Sequence, residues 1–205
     1  MKSLLLVGGG GHCRSCIDVI ESGVQFEVAG IVERDGTDYS SSMDYSLLGT
    51  DEDVPRLLAQ YPSALVTLGQ IKSPDVRIRL FENLKRLGAD LPAIVSPYAY
   101  LSRHAQIAAG TIVMHSALIN AKATVGENCI INSQALIEHD AIVESHCHVS
   151  TGAKVNGGVY IGTGCFVGSG AVMREGVRIG SHCVIGAGTV VLDDLPAGTL
   201  FRGKE

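Results

Sequence analysis

From Leu101 onward the hydrophobic positions recur every six residues. Stepping by six meets Ile107, Val113, Ile119, Val125, Ile131, Ile137, Val143, Val149, Val155, Ile161, Val167, Met173, Ile179, Ile185 and Val191, so all sixteen positions are aliphatic or Met. Four residues after most of them stands a small side chain: Thr111, Ala117, Ala123, Cys129, Ala135, Ala141, Cys147, Ala153, Cys165, Ala171 and Cys183. A period of six belongs neither to an α-helix nor to an alternating strand, and it predicts a parallel β-helix with one flat side per hexad and three hexads per coil. The coil is predicted from about Leu101 to Leu195 with no hexad skipped. The aliphatic residue fills the prism and the small one lets the corner close. Gly126, Gly162, Gly168, Gly180 and Gly186 are read as strained turns. Cys129, Cys147, Cys165 and Cys183 lie one coil apart, which predicts a single interior column of small core hydrophobes.

The first half follows another pattern. Leu4 to Val7 reads as a buried strand, Gly8 to Gly11 as a loop, His12 to Ser22 as a helix and Glu27 to Glu33 as a second strand. A helix near Asp51 to Gln60, a strand at Ala64 to Leu68, a helix near Asp75 to Leu87 and a strand near Ala93 to Val95 continue the alternation. The expected architecture is an α/β Rossmann-like domain over residues 1–95 followed by the β-helix over residues 96–205.

The net charge of −5 and the scattered basic residues argue against a nucleic-acid groove or an anionic membrane surface, leaving a small-molecule site. The apolar run Leu4 to Val7 is too short for a signal peptide or a membrane span, so the expected location is the cytoplasm and the six Cys are expected as free thiols. Four consecutive Gly at a strand-to-helix turn let a phosphate approach backbone N–H groups at the positive end of a helix. The dinucleotide fingerprint is incomplete, because Cys13 occupies the place of its third glycine, which favours a nucleotide other than NAD. Glu33 and Asp35 after the second strand read as acceptors for a ribose hydroxyl or a base N–H, or as solvated turn acids. Cys13 and Cys16 read as structural thiols. His146 and His182, two coils apart, raise a zinc hydratase as a rival, but that site needs a third His where Ala187 stands, and no metal is expected.

Taken together, Val7-Gly8-Gly9-Gly10-Gly11-His12 before a hexapeptide coil carrying Ile137-Glu138-His139-Asp140 and His148-Val149-Ser150 resembles the bacterial nucleotide-sugar N-acetyltransferases of bacillosamine and perosamine type. The sialic acid O-acetyltransferases are close relatives. The resemblance implies a left-handed coil, a homotrimer, acetyl-CoA as co-substrate, and transfer to the 4-amino group of a UDP- or GDP-linked amino-dideoxy sugar for a surface polysaccharide or glycan. It implies His139 as general base with Asp140 orienting it. Gly9, Gly10, Gly11, His12, Glu33, Asp35 and Gly69 would hold the nucleotide sugar, and His148, Gly168, Gly186 and Arg202 the acetyl-CoA. The chain departs from the pattern at its end, Arg202-Gly203-Lys204-Glu205, and at Glu33-Arg34, where an acidic pair is more usual. Sialic acid O-acetylation and a non-catalytic nucleotide-binding coil stand as alternatives.

Overall fold

A computed structural model describes residues 1–34 and 44–203. The amino-terminal part runs β1 (Lys2–Val7), α1 (Gly11–Glu21), β2 (Phe26–Val32), β3 (Leu47–Gly49), α2 (Val54–Gln60), β4 (Ser63–Val66) and α3 (Asp75–Arg86), with a 3₁₀ turn at Asp51–Asp53 before α2. Its four strands are parallel in the order β3-β2-β1-β4. Leu4 to Val7 lie almost fully buried at the centre, which explains why β1 is continuously apolar where an alternating strand would show one polar face. β3 is a short edge strand that the hydrophobic pattern did not announce. The strand at Ile94–Val95, expected in this sheet, instead pairs with Ile112–Val113 and opens the coil.

The coil begins there with β5 (Ile94–Val95). Two-residue strands then follow every six residues from β6 (Tyr100–Leu101) through β7 (Gln106–Ile107) to β21 (Val190–Val191), and β22 (Leu200–Phe201) closes the series. They stack as three parallel sheets of seven, six and five strands, called here the first, second and third faces, which start at β5, β6 and β7. Each coil takes eighteen residues, as in the pairing of Thr124 with Ile142, and the chain is a left-handed β-helix. The hexad holds to Val191. Leu195 then bridges Ile179, so the last corner is two residues shorter than the others.

The interior is the one expected: the hexad aliphatics and the small residues four places on form one continuous cluster, including the Cys column. Each of those thiols donates to a carbonyl on the next coil, as Cys147 Sγ does to Gly162 O at 3.2 Å. The turn glycines need a correction. Left-handed φ falls on every sixth residue from Gly110 to Gly188, a position filled by Gly or by Ser116, Lys122, Asn128, Gln134, Asp140, His146 and His182. Gly126, Gly162, Gly168, Gly180 and Gly186 do not have positive φ. The first four are small because the next coil passes too close for a side chain: a Cβ at Gly162 would stand 2.6 Å from the Ser181 nitrogen. Gly186 meets the shortened final turn near Phe201 at the looser distance of 3.3 Å.

The amino-terminal part packs on the first face, where Ile94, Ile112 and Ile130 join Leu4, Leu6, Ile17 and Leu65 in one apolar cluster. Two polar ties frame this seam. His115 on the coil bridges Asp18 of α1, at 2.8 Å, to Ser96, at 2.6 Å. Ser96 is 2% exposed and its oxygen also accepts from the Tyr98 N–H, so this Ser–His–Asp chain is a clamp and presents no nucleophile.

Candidate active site

At the carboxyl ends of β1, β2 and β4 a cleft of about 440 Å³ opens between Gly8, Gly10, Glu33, Arg34, Leu68 and Arg79, among other residues. Ligands of open parallel sheets bind in this place. Built Cβ atoms at Gly10 and Gly11 meet nothing within 4 Å, so the loop leaves its backbone open. The Gly9 N–H is already taken, donating to the Glu33 carboxylate. Gly8 is constrained on its other side: its φ is +108°, and a Cβ there would stand 3.0 Å from the Leu68 nitrogen. Asp35 and Lys204 lie outside the described residues.

Below the loop, the first turn of α1 carries His12, whose Cβ lies close to Gly69 and whose ring centroid is 6.3 Å from that of His148 on the coil. Burial lowers the His12 pKa to about 3 and that of His148 to about 4, with the Arg77 charge adding to both effects. His148 is fully specified. Its Nδ1 is 2.6 Å from the Gln70 carbonyl, which can only accept, so the proton sits on Nδ1. Its Nε2 is then the acceptor for the Asn132 amide at 3.2 Å.

Arg77 was not singled out by the sequence, yet its guanidinium anchors this region. Fully buried, it donates to the carbonyls of Val66 at 2.7 Å, Leu68 at 2.8 Å and Asn128 at 3.3 Å, which fixes the end of β4 to the coil. Its pKa falls only to about 10, so it stays charged. The signal for it was an Arg spaced with Phe81 and Leu84 along one buried side of α3.

His139 and Asp140 lie elsewhere, at the corner between the second and third faces, across the prism from the face that carries the amino-terminal part. Asp140 takes the left-handed turn position, φ 59°, and its Oδ2 stands 2.9 Å from His139 Nδ1. Glu138 is held by the Asn120 amide at 2.8 Å and accepts the His139 backbone N–H. The hydrogen bond to Asp140 raises the pKa of the exposed His139 ring, and the charges of Asp140, Glu138 and Glu175 reinforce the effect. The ring leans toward the next coil, so that a Cβ at Gly157 would be 2.8 Å from its Nε2. That nitrogen has no hydrogen-bond partner among the described residues.

Thus the structure brings together Gly9 with Glu33, and His12 with Gly69 and His148. It leaves His139 and Asp140 apart from both groups within one chain. Gly168 and Gly186 lie at the corner between the first and second faces, and Arg202 follows β22. Among the described residues no group of three or more His, Cys, Asp or Glu could hold a metal ion, and no helix is long and apolar enough to cross a membrane.

Residues 3–84 match the model of the PglD N-terminal domain, and residues 158–193 match the bacterial transferase hexapeptide model of six repeats. A variant of perosamine N-acetyltransferase from Caulobacter crescentus, solved with CoA and GDP-perosamine, superposes with a TM-score of 0.89 at 30% identity over 96% of this chain and 91% of that one. This chain belongs to the hexapeptide-repeat nucleotide-sugar N-acetyltransferases. The acetyltransferase domain of PglB from Neisseria gonorrhoeae, solved with acetyl coenzyme A, gives a TM-score of 0.82 at 28% identity over 96% of this chain and 94% of that one. A search of curated protein sequences finds no match. As an acetyltransferase, the chain has its exposed His139–Asp140 pair on the β-helix and its open glycine loop on the amino-terminal sheet.

Proposed function

We propose that this chain moves the acetyl group of acetyl-CoA onto the 4-amino group of a UDP- or GDP-linked amino-dideoxy sugar in the cytoplasm, for a surface polysaccharide or glycan, with His139 as general base. The observation that carries the reading is an exposed imidazole tied through Nδ1 to a carboxylate, with Nε2 unpartnered among the described residues. An amine is largely protonated at neutral pH and must give up a proton to attack. In its neutral form His139 takes that proton at Nε2 while the N–C bond to the thioester carbon forms. The C–S bond then breaks, the sulfur leaves as thiolate, and it takes up the second proton that the nitrogen sheds. Ammonium plus thioester thereby become amide, thiol and one proton released to solvent, with no covalent enzyme intermediate.

The oxyanion of the tetrahedral intermediate needs a donor. His148 does not suit, because its single ring proton already bonds the Gln70 carbonyl. Gly157 lies against the His139 ring, and its N–H, which has no acceptor among the described residues, is the candidate donor. In this reading the glycine loop, His12, Glu33 and Gly69 hold the nucleotide sugar, and the groove beside the coil corner holds acetyl-CoA.

A homotrimer is part of the proposal. The His139 corner faces away from the amino-terminal part of its own chain, so a cleft that reaches it belongs to a neighbouring copy. Tyr100 and Val190 on the second face and Ile142 on the third are large exposed apolar groups that such a neighbour would cover.

The test is a thiol-release assay with acetyl-CoA and UDP- or GDP-linked 4-amino-4,6-dideoxy sugars. The wild-type chain releases thiol with at least one of them. His139→Ala keeps binding but loses about 10²- to 10⁴-fold in kcat. A loss of only a few-fold removes His139 from the role of base.

A further inference from the structure

On the corner that carries His139, the strand register fixes what stands on the following coils. Leu136 pairs with Lys154 and Lys154 with Val172, while Ile142 pairs with Tyr160 and Tyr160 with Arg178. Between these strands the same corner position is occupied in turn by His139, Gly157 and Glu175. Successive coils are about 4.8 Å apart, so His139 and Glu175 flank a gap of roughly 10 Å whose floor is a residue without a side chain. The His139 ring leans over that floor, its Cε1 and Nε2 each 2.8 Å from where a Gly157 Cβ would stand. Glu175 is exposed and makes no hydrogen bond or ion pair among the described residues. Its carboxylate acts at a distance, adding to the field on His139.

We infer that Glu175 is a specificity-determining residue, whose carboxylate receives the ammonium form of the acceptor in the slot over Gly157, opposite His139 Nε2. The inference rests on the amino-sugar reading above and adds the reason for choosing an amine over a hydroxyl. A protonated amine gains from a carboxylate on one side and gives its proton to the neutral imidazole on the other. A hydroxyl at the same carbon brings no charge and gains only a hydrogen bond from Glu175, without the ion-pair attraction. The carboxylates beside the His139 ring are already committed: Asp140 holds Nδ1, and Glu138 is bonded by Asn120 and the His139 N–H.

The experiment compares two ligands on the intact protein, an accepted 4-amino nucleotide sugar and its 4-hydroxy counterpart, by titration calorimetry and by steady-state kinetics. In the wild type the amine binds more tightly. In Glu175→Gln that preference falls about five- to tenfold, the range for one charge pair near solvent, with the KM for acetyl-CoA unchanged. Glu175→Asp restores part of it. Unchanged amine-to-hydroxyl preference and unchanged acceptor KM in Glu175→Gln overturn the inference while leaving the acetyltransferase reading intact. A wild-type chain that accepts only hydroxyl acceptors overturns the reading itself, and the inference with it.

Discussion

Asp140 sits in left-handed φ, a conformation that Asp tolerates better than most residues, and from it the carboxylate reaches the ring of the residue before. In the proposed mechanism that contact sets the pH at which His139 can act as the base. Because the hydrogen bond raises the His139 pKa, activity climbs with pH through a limb above 6.5, the ordinary histidine value. Asp140→Asn moves this limb to lower pH and reduces kcat, and a pH–kcat profile with an unmoved limb contradicts the assignment. Gly157 tests the ring position: a Cβ there meets the His139 ring at 2.8 Å, so Gly157→Ala pushes the base aside. We expect kcat to fall about 10- to 100-fold, with the KM for acetyl-CoA changed much less. The His139–Asp140 contact was legible because the two residues are neighbours on a readable corner, while the roles expected of them came from the family resemblance alone. Arg77, Gln70 and Asn132 were not, since their roles depend on how two remote segments pack together.

At the scale of elements, the coil was legible because each hexad repeats the same burial decision, and the interior of the stack follows the spacing directly. Two features escaped that reading. Lys122, Gln134 and His146 occupy the left-handed turn, which no glycine marks, and the strand at Ile94–Val95 looked like the end of the α/β sheet although it starts the coil. Glycines read as turn residues prove to be points of close approach between coils, so Gly162→Ala is expected to cost about 1–3 kcal/mol through displaced backbone. Urea unfolding followed by far-UV circular dichroism measures this, and an unchanged midpoint contradicts it. The seam carries its own pH dependence. His148 has a folded pKa of about 4 against about 6.5 when unfolded, so the unfolded chain takes up the proton first. Its contribution is complete above pH 6.5 and is lost as pH falls toward 4. Between pH 7.5 and pH 5 this amounts to about 2 kcal/mol. His148→Phe is expected to lose less stability over that interval than the wild type, and an equal loss in both removes His148 as the cause.

In the whole molecule, one chain holds an open cleft at its glycine loop and an exposed His139–Asp140 pair on opposite sides of the prism, and the proposed function makes each of them half of a site. The glycine loop and the histidine corner were both visible in the sequence. Their separation appeared only once the first face was seen to be covered by the amino-terminal sheet. A trimeric mass by multi-angle light scattering is expected, and a monomer at micromolar concentration contradicts the shared site. The chemistry itself is tested most directly by offering the protein acetyl-CoA with a mixture of UDP- and GDP-linked 4-amino-4,6-dideoxy sugars and free sialic acid, then locating the new acetyl group by NMR of the purified product. The account predicts an acetamide on the amino sugar of a nucleotide. An acetyl ester on sialic acid, with every amino sugar untouched, contradicts it.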